Sequence, residues 1–336
     1  LNEYKGFLMG YHLSDDEWIE KWLECGSATK MSSLTGMNQR SIYNRRRAIE
    51  ARKNIELPSF DDQRISPLKK IEQTMGHARR GRQLEKGRII AFGDCHFWPE
   101  VSYTTAYKAL LESIKEFNPS VVVCIGDAFD GSQSSRHPRI GWQNTPTVKD
   151  ELEACQEMME GIEKVSKGAE LIWTLGNHDA RFETFLSNGG AHSYQGVKGF
   201  SLKDHFPLWQ GCWTYWIENT GTINTVFRHK LKGSWSAGRN NTLQAGTHVV
   251  SGHTHHLSAM QYNDYNNYGR WGIQTGCLAD PRGEQFIHYT EDSPTDWTSG
   301  FALLTYEQGH LLQPELIRVF DENSGIVDFR GKLHKV

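Results

Sequence analysis

Five short apolar runs, each ending in side chains that ligate metal ions, constrain this chain more than anything else in it. Val121 to Ile125 runs into Gly126-Asp127-Ala128-Phe129-Asp130. Ile89 to Phe92 leads to Gly93-Asp94-Cys95-His96, and Leu171 to Leu175 leads to Gly176-Asn177-His178-Asp179. Thr225 to Arg228 leads to His229, and His248 to Ser251 leads to Gly252-His253-Thr254-His255. Runs this short and this rich in Val and Ile read as buried strands. Ligands of open α/β sheets bind at the carboxyl ends of strands, so the five ends predict one shared site.

The segments between these runs fit the same plan. Thr104 to Phe117 puts Ala106, Leu110, Leu111 and Ile114 on one helical face, and Asn118-Pro119 stops it. Lys149 to Lys167 reads as a second helix, while the stretch after Asn177-His178 reads as a loop through Arg181 and Phe182. Strand, helix, strand, helix, strand implies right-handed βαβ units around a parallel core. Beyond Trp213 short strands dominate, which predicts a second sheet packed on the first and ending near Phe329.

The donor types define the expected chemistry. Asp94 and His96 are two residues apart at a strand end, as are His253 and His255, so each pair is expected to point one way. Asp127 is the candidate bridge between two cations, and Asn177 and His229 complete a set of two carboxylates, four imidazoles and one amide. His192 and His205 are the rivals of His229. Mixed nitrogen and oxygen donors suit two divalent ions, Mn first and Fe, Zn or Ni next, better than Mg or Ca. Two such ions carry more charge than two carboxylates cancel, and the excess attracts a phosphate. His178 follows a ligand directly, so it is expected to face substrate and protonate the leaving oxygen, with Asp130 orienting its other ring nitrogen.

In order and spacing these motifs resemble those of the calcineurin-like metallophosphoesterase family, over roughly Gly87 to Arg330. The resemblance implies an α/β fold, a four-layer α/β/β/α sandwich. It also implies Asp94, His96 and His255 on one metal, Asn177, His229 and His253 on the other, Asp127 bridging and His178 catalytic. Family members that act on phosphoproteins carry Asp-Arg-Gly at the second motif. Here Gly131-Ser132 follows Asp130, which counts against a protein phosphatase. Arg136, His137 and Arg181 are the candidates to grip phosphate instead. Ser135 to Trp142, with Asp204-His205-Phe206-Pro207, further resembles phage and prophage members, which implies a protein acting in the bacterial host cytoplasm.

The amino-terminal residues have a different character. Ser14-Asp15-Asp16-Glu17 is a helix start with a capping box, and Trp18, Ile19, Trp22 and Leu23 supply its apolar face. Gly26-Ser27 separates it from a helix over Ala28 to Thr35, with Met31 and Leu34 inward. Gly36 turns the chain into a third helix over Gln39 to Asn54, with Ile42, Ala48 and Ile49 inward. The pattern resembles a helix-turn-helix, whose Arg40, Asn44, Arg45, Arg46 and Arg47 suit phosphates and base edges. Between Ala28 and Arg88 there are 15 Lys/Arg against 6 Asp/Glu, in a chain whose net charge is −3. The expected division is a helical nucleic-acid-binding domain over 1–56, a basic linker over 57–86 with one strand near Arg79 to Leu84, and a catalytic domain over 87–336.

Three functions compete. The first is a DNA nuclease whose helical unit holds the substrate. The second is a phosphodiesterase or phosphatase for nucleotides or cyclic nucleotides, with a docking helical unit. The third, a DNA-binding regulator with a degenerate site, ranks last because every ligand position is filled. No apolar run reaches membrane-spanning length, and the six cysteines form no C-x-x-C pair, so reduced thiols and no membrane partner are expected. The sequence sets no oligomeric state.

Overall fold

The computed structural model describes residues 13–55, 57–58, 79–135, 145–263, 265, 269–291 and 293–336, and the chain divides into two units, Leu1–Gly76 and His77–Val336. In the first unit, Ser14 and Glu17 form the expected capping box on α1 (Asp15–Cys25). Gly26, at φ 62°, ends that helix, and Ser27 caps α2 (Ala28–Thr35). Gly36, at φ 71°, and the capping Asn38 lead into α3 (Gln39–Lys53). Trp18, Trp22, Met31, Ile42 and Ile49 fill the core, with the two indoles stacked at 5.4 Å. Leu23, Leu34 and Ala48, expected inside, face solvent. Each sits next to a buried residue, about 100° around its helix, and these short helices bury only a narrow stripe.

The second unit runs, in chain order, β1 (Arg79–Arg82), β2 (Gly87–Phe92), α4 (Thr105–Phe117), β3 (Val121–Cys124), α5 (Val148–Val165), β4 (Glu170–Thr174), α6 (Asp179–Asn188), β5 (Gln210–Cys212), β6 (Thr214–Ile217), β7 (Thr225–Arg228), α7 (Ala237–Ala245), β8 (His248–Ser251), β9 (Leu257–Tyr262), β10 (Arg270–Thr275), α8 (Glu284–Thr290), β11 (Gly300–Glu307), β12 (His310–Leu311), β13 (Glu315–Asp321), β14 (Ile326–Phe329) and β15 (Lys332–Lys335). One sheet has the order β15-β14-β13-β11-β2-β3-β4-β5, with β12 paired to β11. The other has the order β1-β6-β7-β8-β10-β9. β2 to β5 are parallel neighbours, whereas β11 runs antiparallel to β2.

The unbroken apolar runs have a simple cause: their strands are covered on both faces. Ile89, Ala91, Val121 and Val123 meet Tyr215, Phe227, Val250 and Ile273 of the other sheet. Their alternates, Ile90, Phe92, Val122 and Cys124, meet Ala106, Leu110 and Ile114 of α4 and Met159 and Ile162 of α5. On the far side α7 lies against β8 and β10. There Gly272 admits the helix so closely that a Cβ would stand 2.4 Å from the Gly238 carbonyl oxygen. The layers are therefore α/β/β/α. Three features depart from expectation. Asp179–Asn188 is a helix, not a loop; Phe182 is its one buried apolar side chain, too few for a visible period. Strands β11 to β15, expected in the second sheet, instead join the first through β11 beside β2, since a strand's own sequence does not show which neighbour it pairs with. That sheet continues past Phe329 into β15, an exposed strand held by pairing with β14 rather than by an apolar face.

Candidate metal centre and active site

Loops after β2, β3, β4, β7 and β8 converge and bring Asp94, His96, Asp127, Asp130, Asn177, His178, His229, His253 and His255 to one place. The pairing two residues apart does not arise from strand alternation, as the sequence suggested. Asp94, His96, Asp127, His253 and His255 all have left-handed backbones, with φ of 49°, 43°, 51°, 71° and 57°. Non-glycine residues adopt that region at a cost, and such strain clusters at functional sites. Hydrogen bonds hold it here: Asp94 N donates to Gly126 O at 2.9 Å, and Cys95 N and His96 N donate to Asp127 O at 2.9 and 3.0 Å.

The glycine ahead of a motif is space for a carboxylate from another. A Cβ on Gly176 would lie 2.0 Å from Asp127 Oδ1, and one on Gly252 would lie 2.6 Å from Asp94 Oδ2. Asp94 then accepts from His253 N at 2.9 Å, and Asp127 accepts from His178 N at 2.8 Å. Asp179, to which the sequence reading gave no role, anchors the arrangement. It accepts from Asp127 N, Ala128 N, Phe129 N, Gly176 N and Trp173 Nε1 at 2.7 to 3.1 Å. Burial, then the neighbouring Asp127 charge, raises its carboxyl to about 6. The available signal was its place as the last residue of Gly176-Asn177-His178-Asp179.

Among the described residues three donor groups result: Asp94 with His96 and His255, Asp127 with His229 and His253, and His96 with Asp130 and His178; the first two hold the expected ligands. The tautomers suit a cation. His229 Nδ1 donates to Ile125 O at 2.8 Å, which turns Nε2 toward Asp127 Oδ2 at 3.0 Å and Asn177 Oδ1 at 3.2 Å. A lone pair facing two oxygen acceptors needs a proton or a metal between them. Burial opposes charge on His229, yet Asp127 outweighs it and raises the imidazole to about 9. Burial likewise opposes ionisation of Asp127, and His229 and His178 reverse it, holding the carboxyl well below its ordinary range. His96 Nδ1 is fixed by Asp130 Oδ1 at 2.7 Å, while its Nε2 is buried without a hydrogen-bond partner among the described residues, as is His255 Nδ1. For His96, an orphaned buried nitrogen with the opposite ring atom locked is the mark of an imidazole placed for metal; His255 faces Asp94 Oδ1 with Nε2 at 3.4 Å. Burial and His229 lower His253 to about 4, so it stays neutral and able to ligate.

His178 lies beside this centre. Its Nδ1 reaches Asp130 O at 2.9 Å and Oδ1 at 3.0 Å, and its Nε2 is 3.9 Å from Asp127 Oδ2. Burial lowers His178, but Asp127 and Asp130 more than offset it and the net shift is upward. Arg181 extends Nη2 to 3.2 Å from His178 Nε2 and Nη1 to 3.1 Å from Asp130 O. Arg136 and His137 lie outside the described residues. His205 is engaged elsewhere, with Nε2 2.9 Å from Gly199 O. In the helical unit Arg40, Asn44 and Arg47 are exposed. Arg45 and Arg46 instead serve the unit's own fold: Arg45 donates to Leu13 O, and Arg46 pairs with Glu50 at 2.9 Å, donates to Leu57 O and lies over Trp22.

The α/β/β/α layers and this donor set define a metal-dependent phosphoesterase. A model of the calcineurin-like phosphoesterase family matches residues 87–271, and the chain belongs to that family. It is 26% identical over 227 residues to the Gene 54 protein of Mycobacterium phage L5, covering 63% of this chain and 86% of that one. Among solved structures it is similar to a single-mutant Vps29 from Entamoeba histolytica, at 14% identity and TM-score 0.39, covering 74% of this chain and 98% of that chain. It is also similar to Yfce, a phosphoesterase from E. coli, at 13% identity and TM-score 0.34, covering 68% and 97%. Among the described residues no helix is long and apolar enough to cross a membrane.

Proposed function

We propose that this chain is a DNA nuclease, hydrolysing phosphodiester bonds at two divalent metal ions, Mn in the first instance. The observation that carries this reading is the pair of adjoining donor groups, Asp94-His96-His255 and Asp127-His229-His253, built on one rigid set of strand ends. Asn177 joins the second group and Asp127 is the bridging candidate. Ions held there would activate water and neutralise charge developing on the phosphoryl oxygens. His178, oriented by Asp130, donates a proton to the leaving oxygen, a role worth on the order of 10²–10⁴-fold in rate. Arg181, beside His178, holds a non-bridging phosphate oxygen. The exposed Arg40, Asn44 and Arg47 of α3 supply the DNA contact, which raises the local concentration of substrate.

The test is cleavage of end-labelled single- and double-stranded DNA in Mn²⁺, with His178→Ala and Asp127→Ala alongside. Expected is cleavage by wild type, lower on the order of a hundredfold or more in His178→Ala and abolished in Asp127→Ala. A preparation that hydrolyses a model phosphodiester but leaves both DNAs intact would overturn the nuclease reading in favour of a small nucleotide substrate.

A further inference from the structure

One wall of the site is built of rings, and the chemistry described so far does not use it. Phe286, on α8, packs with its centroid 5.2 Å from that of His96 and 5.8 Å from that of His255. Trp297, on the segment entering β11, lies 4.2 Å from His255 and 5.1 Å from Phe286. Tyr289, three residues along α8 from Phe286, stacks on Trp297 at 6.0 Å with only 25° between the planes. Exposure rises along this series: Phe286 is buried, Trp297 half-buried and Tyr289 75% exposed. The ladder therefore begins on imidazoles of the candidate metal centre and ends on an open aromatic face in solvent.

From this geometry we infer that Trp297 and Tyr289 form a stacking subsite for the nucleobase next to the scissile phosphate. The inference rests on the proposed phosphodiesterase chemistry and names what its substrate carries. A nucleoside separates its base from its phosphate by one sugar, and the two rings stand one and two places from His255. A lone exposed aromatic needs no explanation, but one stacked on a ring that itself packs against a ligand histidine is positioned relative to the reacting phosphorus. The adjoining chain carries Glu291 and Asp296 rather than Lys or Arg. That environment repels a second phosphate and admits a ring, so the platform selects a base rather than a further length of backbone. Stacking tolerates every base because each has a π face, so this subsite demands a nucleobase without reading which one.

The experiment compares kcat/KM in Mn²⁺ for a thymidine dinucleotide and for the same dinucleotide with one base removed. Wild type is expected to prefer the intact dinucleotide on the order of tenfold. Tyr289→Ala is expected to collapse that ratio toward one, mainly through KM, and Tyr289→Phe to retain it. A merely structural role for Tyr289 would lower both rates together and leave the ratio standing, which would overturn the inference. So would a wild-type ratio of one, which leaves the phosphodiesterase reading untouched. A second measurement needs no turnover: calorimetric binding of a thymidine hexanucleotide and an abasic hexanucleotide in Ca²⁺. Tighter binding of the base-bearing strand, lost in Tyr289→Ala, supports the subsite even if neither dinucleotide is cleaved, an outcome that would sink the phosphodiesterase reading alone. Equal binding of the two strands overturns the subsite.

Discussion

His229 carries the clearest physical demand in the molecule. Its Nδ1 proton is committed to Ile125 O, and its Nε2 faces two oxygens, so the metal-free chain keeps a second proton there, with a pKa raised to about 9 against the burial that lowers it. An imidazole must be neutral to ligate a metal. Binding of Mn²⁺ at pH 7.5 should therefore release about one proton from this residue, and metal affinity should rise with pH up to about 9. Calorimetric titration in buffers of different ionisation enthalpy reads the proton count; a count of zero at pH 7.5 would remove His229 from the ligand set. Asn177 and Asp127 were legible as donors from their place after apolar runs. The left-handed turns that aim Asp94, His96, His253 and His255 were not, because φ is set by hydrogen bonds from other loops, such as Cys95 N and His96 N to Asp127 O.

Elements were readable wherever local signals agreed. α4 starts one residue after the expected Thr104, which caps it, and α5 starts one residue before the expected Lys149. α6 was missed because Phe182 is its one buried apolar side chain and leaves no period to read. In α5, Glu151 is buried one turn in; its Oε1 accepts from Ser132 N and Oγ, and its Oε2 has no hydrogen-bond partner among the described residues. Burial pushes this carboxyl up to about 7. A raised carboxyl favours the folded state below its unfolded value near 4.5, and that contribution fades as pH climbs through 7. Glu151→Gln keeps an oxygen for Ser132 without the charge. Its stability should gain on wild type between pH 5 and pH 8 by on the order of 1–3 kcal/mol, read as a rise of a few degrees in Tm. A Tm difference flat across that range would mean Glu151 is ionised throughout.

At the scale of the whole molecule, the chain joins a small helical unit to a much larger enzyme, and the basic excess lies in and after the former. If α3 holds DNA, two of its exposed side chains, Arg40 and Arg47, are phosphate contacts, and each contributes about 0.9 to the dependence of log K on log salt for a duplex. Changing Arg40, Asn44 and Arg47 together to Ala should weaken duplex binding at all sequences and reduce that slope by about 2 between 50 and 200 mM salt. An unchanged slope would assign the helical unit another task. Arg46→Ala should instead lower stability, because its guanidinium serves Glu50, Leu57 O and Trp22. The sequence could not separate Arg46 from Arg47, since adjacent arginines read alike until the fold turns one of them inward.

The sequence by itself determined the layered α/β architecture, because runs of Val and Ile between capped amphipathic helices have few other ways to hide both faces from water. It determined the donor inventory as well, since glycine followed by Asp, Asn or His at a strand end names both the chemistry and the place. Only the tertiary structure decided how those donors meet. The hollow at Gly176 that seats the Asp127 carboxylate, the five hydrogen bonds that Asp179 gathers, and the rings leading from His255 out to Tyr289 join residues distant in the chain. Such contacts leave no local period to read; they exist only once the two sheets have packed and the loops share one end of the sandwich.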